Sequence, residues 1–171
     1  MLSVLELIEH GTRRLGHCTV TAQPTAAWTL QQLREVVGLD HRYQFLLHDR
    51  DCIFSRALNE SIQALGISVL KSAPHCPKMN VICERVMGTL RRECLDWPVP
   101  LSESHLRALL RAWIQHDNGG PPHIALGPGI PDPPLTAIAK SASRHRREES
   151  YAVKAEPILV GLHHEYRLAA A

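Results

Sequence analysis

The sequence contains no run of about 18 consecutive apolar residues, so no membrane-spanning helix is expected. Its opening residues, Met1 to Glu9, are apolar, but Glu6 and Glu9 interrupt them, so the unbroken core of a secretion signal is missing. None of the five cysteines forms a CxxC pair, and zinc-finger spacing is absent. Their odd number argues against a complete disulfide framework. Cys18, Cys52, Cys76, Cys83 and Cys94 are therefore expected to be reduced, mostly buried thiols of a cytoplasmic protein. Strong charge of either sign is also missing. The 19 Lys and Arg against 17 Asp and Glu leave a net charge of +2, which permits a nucleic-acid partner without demanding one. No aspartate precedes Asp40.

What is present is an ordinary globular composition. The 171 residues, 44% apolar, suffice for one domain with a core and a short appendage. Residues 2–9 and 14–21 are apolar-rich runs around a turn, the pattern of a hairpin. Pro24 marks a helix start, with the cap expected within Thr21 to Gln23. Ala27, Leu30, Leu33, Val36 and Val37 follow at helical spacing, and Gly38 ends the helix. Tyr43 to Leu47 reads as a buried strand. Phe54, Leu58, Ile62 and Leu65 form a second helical stripe closed by Gly66, and Ile67 to Leu70 is another strand. After the loop Lys71 to Pro77, a helix is expected from about Lys78 to Trp97. Its core stripe would be Met79, Ile82, Cys83, Val86, Leu90, Cys94 and Trp97.

A further helix is capped by Ser102 or Ser104 and carries Leu106, Leu109, Leu110, Trp113 and Ile114. The order of strands and helices predicts an α/β fold with a mixed sheet flanked by helices. Three regions follow: a core over 1–120, a Pro-rich and charged linker over 121–150, and a C-terminal β-hairpin over 151–171.

Within the core, Asp49 would end a strand and Glu84 would sit on a helix able to return over it. Carboxylates from two elements can share divalent ions, which neutralise a phosphodiester and lower the pKa of an attacking water or hydroxyl. Mg²⁺ suits such a site because it prefers hard oxygen ligands and retains several waters. Asp51 is a structural alternative to Asp49, better read as a solvated turn residue. Arg85, Arg91 and Arg92 could face phosphates, as could Lys71 and His75 in the loop. Glu93 and Asp96 offer salt bridges to the same arginines instead.

These residues closely resemble the retroviral-integrase superfamily, in particular the integrase core of bacterial insertion-sequence transposases. The match runs through His48, Asp49, Arg50, Asp51 and Phe54, then Pro77, Asn80, Glu84 and Arg85, then Thr89 to Trp97. It continues at His105 to Arg107, His116 to Asn118, Pro122-His123 and Leu126-Gly127, and at Gly161 to Tyr166. The resemblance implies a ribonuclease-H-like fold and a metal-bound Asp-Asp-Glu triad that cuts transposon ends and joins the free 3′-hydroxyl to target DNA. Asp49 would be its second Asp and Glu84 its Glu, both catalytic and both metal ligands for Mg²⁺ or Mn²⁺. Arg85, Arg92, Lys71 and Asn80 would contact DNA, and a homo-oligomer is possible.

The sequence departs from the family at three points. The family's first Asp lies on a strand ahead of the hairpin, and here Glu6 and Glu9 are off that position. Asp117 and Pro121 stand where the family has Tyr and Arg. A core lacking its first strand, truncated at the N-terminus and catalytically defective, is therefore expected. The alternative is a non-catalytic nucleic-acid-binding remnant of a transposase.

Overall fold

The computed structural model describes residues 2–38, 41–73, 80–120, 122–127, 129–133 and 151–170. Asp40, His75, Pro77, Pro121 and most of the expected linker lie outside them. The chain divides into two compact units. The first comprises Met1–Ile8 with Gly16–Thr89, the second Glu9–Leu15 with Leu90–Ala171.

In the first unit, strands β1 (Ser3–Ile8) and β2 (Leu15–Thr21) pair with each other. Helix α1 (Ala26–Val37) follows. Its N-cap is Thr25, one residue beyond Pro24, whose hydroxyl accepts a hydrogen bond from the Trp28 amide at 3.2 Å. Gly38 closes it at φ 65° and donates its amide to Arg34 O at 3.1 Å. Strand β3 (Phe45–His48) runs parallel to β4 (Ser68–Lys71), with helix α2 (Arg56–Gln63) as the crossover. Leu33, Leu58, Ile62 and Ile67 form the buried core, with Leu30, Leu46, Phe54, Leu65 and Val69 packed around it. The stripe read for α2, Phe54, Leu58, Ile62 and Leu65, faces this core throughout, whereas of the stripe read for α1 Leu30, Leu33 and Val37 face it and Ala27 is exposed. The strand expected to be buried over Tyr43–Leu47 is shifted by one residue at its end, and Phe45 is 61% exposed. Phe45 opens the strand, and burial rises along it through half-buried Leu46 and Leu47 to buried His48.

The single mixed sheet expected from the sequence is, among the described residues, three two-stranded sheets. No described strand continues the ladder from β1–β2 to β3–β4.

Helix α3 (Val81–Leu90) does not continue as one α-helix to Trp97. Residues Arg91–Leu95 form a π-helical turn. The wider turn keeps Leu90 and Cys94 buried but takes Trp97 off the stripe, leaving it 68% exposed with its indole N–H donating to Arg92 O at 2.7 Å. The cysteines also differ from expectation. Cys94 is buried, Cys18 and Cys83 are half-buried, and Cys52 is exposed in the turn after Asp51. All four are free thiols.

In the second unit, α4 (Glu103–Gly119) is capped by Ser102 and buries Leu106, Leu110 and Trp113. The expected extended segment after it contains a 3₁₀ turn at Ile124–Leu126. Strands β5 (Tyr151–Ile158) and β6 (His163–Ala170) pair antiparallel from Tyr151 with Ala170 to Ile158 with His163, the C-terminal hairpin read from the sequence.

Candidate functional site

The parallel pair β3–β4 brings two strand C-termini together, with His48 opposite Lys71. In open α/β sheets this end is where ligands bind. The Ser72 amide donates to His48 O at 3.0 Å, and Arg50 Nε donates to Ser72 O at 3.0 Å. These bonds tie the loop that carries Asp49 to the residues that follow β4.

The loop is built from its own side chains. Asp49 Oδ1 accepts from the Asp51 amide at 3.0 Å, and Asp51 Oδ1 accepts from the Ile53 amide at 2.8 Å. Two successive Asx turns therefore fix the backbone. Asp51 is exposed, as a solvated turn residue should be, and its carboxylate is engaged in holding the turn. Beneath the loop, the His48 ring is buried and stacks on Phe54 with centroids 3.9 Å apart. Its Nδ1 pairs with Asp49 O and its Nε2 with Asn59 Oδ1, the latter at 3.0 Å. The Asn59 amide in turn donates to Phe54 O at 3.2 Å. His48, Phe54 and Asn59 thus lock the base of the turn. The sequence marks His48 and Phe54 by their spacing from Asp49, but not Asn59, which lies one turn into α2.

Asp49 and Glu84 both act electrostatically on Cys83. Burial pushes the Cys83 thiol above its ordinary pKa, and the carboxylates of Glu6, Glu84 and Asp49 push it further. Cys83 is therefore held as a neutral thiol, poorly suited to act as nucleophile or metal ligand. Glu6, set aside in the sequence as off the family position, projects from the middle of β1 and shares this environment, with one carboxylate oxygen shielded from solvent. Its signal in the sequence is a lone carboxylate between Leu5 and Leu7 in an otherwise apolar strand.

The donor set, carboxylates without neutral nitrogen or thiolate, has the chemistry a hard divalent cation takes. Among the described residues, no three His, Cys, Asp or Glu side chains are arranged to hold a metal ion.

The other residues singled out in the sequence are spread more widely. Lys71 is exposed at the end of β4. Asn80 is half-buried directly before α3, and Arg85 is exposed beside Glu84. Arg92 is exposed in the π-helical turn and belongs to the second unit.

Comparisons with known proteins bear on the family and the fold. Residues 65–131 match the family model described as the integrase core domain. An uncharacterised 31.7 kDa protein of insertion element IS407 from Burkholderia multivorans is 32% identical over 92 residues, covering 54% of this chain. This chain spans 31% of that relative's length. A chain in the cryo-EM structure of a simian T-cell lymphotropic virus intasome in complex with PP2A regulatory subunit B56 gamma superposes with a TM-score of 0.59 at 14% identity. That match covers 95% of this chain and 59% of the other. Over residues 65–131 the chain is similar to the integrase core domain, and in sequence it is similar to an insertion-element protein. The relative it matches in sequence comes from an insertion element, and the solved structure shares the α/β fold. No helix among the described residues is long and apolar enough to cross a membrane.

Proposed function

We propose that this chain is the integrase core of an insertion-element transposase, with a ribonuclease-H-like arrangement, acting on duplex DNA at the Asp49–Glu84 pair. The observations that support the reading are the match of residues 65–131, which include Glu84, to the integrase core domain and the fixed turn that presents Asp49 at the end of the parallel pair. Asp49 and Glu84 would hold Mg²⁺ or Mn²⁺, which supplies charge neutralisation at the scissile phosphate and a nucleophile at neutral pH. Around it, the chain's own residues have plain tasks. The two Asx turns and the His48–Asn59 pair orient Asp49. Arg85, Lys71 and Asn80 would bind phosphate oxygens beside the carboxylates, and Arg92, in the second unit, would make its own contact to DNA.

The test is divalent-ion-dependent nicking of a labelled duplex bearing the element's terminal sequence. Weak nicking that falls at least about 100-fold in both Asp49→Ala and Glu84→Ala supports the site. Nicking that is robust and indifferent to either substitution overturns it.

The exposed arginines at 85, 91 and 92 favour a second reading, a DNA-binding remnant without chemistry. Salt-sensitive binding in a gel-shift titration, with no nicking in Mg²⁺ or Mn²⁺, would select that reading.

A further inference from the structure

Arg50 stands in the chain between two carboxylates that the turn already engages. Asp49 and Asp51 each accept a backbone amide, at 3.0 and 2.8 Å. The Arg50 side chain reaches across the strand ends, where its Nε donates to Ser72 O at 3.0 Å. Ser72 is a firm anchor for it. That residue is half-buried, and its own amide donates to His48 O at 3.0 Å, so both of its backbone groups are bonded to the β3 end and its loop.

A bond to a carbonyl uses only part of a guanidinium. The carbonyl is neutral and leaves the charge uncompensated, and among the described residues Arg50 forms no ion pair with Asp49 or Asp51. With Nε engaged, the donors that remain are those of the terminal amino groups, Nη1 and Nη2. They lie side by side in one plane, the fork that a carboxylate or a phosphate takes with parallel hydrogen bonds. The bond at Nε also holds the fork before any ligand arrives, which lowers the ordering cost of binding.

We infer that Arg50 is a phosphate-binding residue, whose fork takes the non-bridging oxygens of the phosphodiester on which the Asp49 site acts. Position selects the ligand. The fork belongs to the residue next to a proposed metal ligand, and a phosphodiester must lie beside that ion for the ion to act on it. The inference therefore rests on the reading of Asp49 given above. Guanidinium is suited to the task because it stays charged at any working pH and has no proton to give up. Lys71, one residue before Ser72, is exposed at the same end of the parallel pair and adds a second cation there.

Neutralising phosphates one at a time tests it. A labelled duplex bearing the element's terminal sequence carries a single methylphosphonate, moved linkage by linkage around the terminus. Affinity for the full chain is read by fluorescence anisotropy in chelator at low salt. The wild type is expected to lose roughly threefold or more at the linkage that Arg50 holds. Arg50→Gln should bind the unmodified duplex more weakly by a similar factor and lose nothing further at that linkage, whereas a merely loosened loop would weaken binding at every linkage alike. Asp49→Asn should bind the unmodified duplex more tightly, and that gain should vanish at the same linkage. Arg50→Lys keeps the charge without the fork and should recover only part of the loss. Three results overturn the inference while the Asp49→Asn gain still vanishes at one linkage: Arg50→Gln as sensitive as the wild type everywhere, Arg50 coupled to a different linkage from Asp49, or full recovery in Arg50→Lys. An Asp49→Asn gain that no linkage removes overturns the reading of the site itself, and the inference with it.

Discussion

Asp117 occupies a helix position that calls for an apolar side chain. Leu106, Leu110, Trp113 and Asp117 lie on one stripe of α4, and Asp117 is 5% exposed. Burial pushes its carboxyl above the ordinary carboxylate range, Glu93 adds to this, and His123 and His116 oppose it. One of its oxygens, Oδ2, is buried without a hydrogen-bond partner. The native state therefore holds the Asp117 proton more tightly than the unfolded chain does. Stability contributed by this group is greatest at low pH and declines as pH rises from the ordinary carboxylate pKa through the raised one. Asp117→Asn should remove that decline and stabilise the fold at neutral pH by about 1 kcal/mol, read as a urea midpoint at pH 7 against one in the acid range. The neighbouring Asn118 acts in the opposite sense. Its Oδ1 accepts from the Leu15 amide at 2.9 Å and its Nδ2 donates to Leu15 O at 3.0 Å, both buried. Asn118→Ala would leave two backbone groups unsatisfied and should cost about 2–3 kcal/mol in the same measurement. At the candidate site, Glu6 and Glu84 raise the Cys83 pKa, so neutralising either one lowers it. Glu6→Gln and Glu84→Gln should each speed alkylation of Cys83 by roughly twofold or more at mildly alkaline pH, followed at the peptide level by mass spectrometry. Unchanged rates would separate Glu6 or Glu84 from Cys83.

Among the elements, those written in a local code were legible and those set by distant neighbours were not. The stripes of α1 and α2 repeat at helical spacing, and Leu33, Leu58 and Ile62 are buried where that spacing puts them. Ile62 is fully enclosed, so Ile62→Ala should cost about 3 kcal/mol and lower the thermal midpoint. Asp51 was legible as a turn residue because the Asx turn it makes depends only on the next few residues. The π-helical turn at Arg91–Leu95 was not, because an extra residue in a helical turn breaks no propensity rule and shows only as Trp97 leaving the stripe. The attachment of the hairpin was hidden for a related reason. Its strands pair by their own sequence, but the bonds of His163 to Glu93 and of Glu165 to His116 join distant positions. Glu6 fell outside the motif because its closeness to Cys83 joins β1 to α3 across 77 positions, 83 minus 6, which no local pattern records.

For the molecule as a whole, the proposed role sets a weak positive charge against a polyanion. A net charge of +2 gives little long-range attraction, so binding should depend on a few local cations and fall steeply with salt. The candidate site has both signs side by side, with Arg85 next to Glu84 on α3 and Lys71 opposite His48 at the end of the parallel pair. Arg85→Ala should weaken duplex binding uniformly across sequences and reduce the slope of log affinity against log salt by about 1. The carboxylates should act with the reverse sign. In a chelator, where no divalent ion screens them, Asp49 and Glu84 repel the phosphates, and because both are exposed the penalty is small. Asp49→Asn and Glu84→Gln should therefore tighten binding in chelator by roughly twofold at low salt, an effect of about 0.5 kcal/mol. With Mg²⁺ present the order should invert, since Asp49 and Glu84 would hold the cation and it would supply the charge that attracts phosphate. Fluorescence anisotropy with a labelled duplex, run in chelator and in Mg²⁺, reads both signs. An affinity indifferent to Mg²⁺ in wild type and variants alike would separate the pair from metal and leave the arginines as the whole of the DNA interaction.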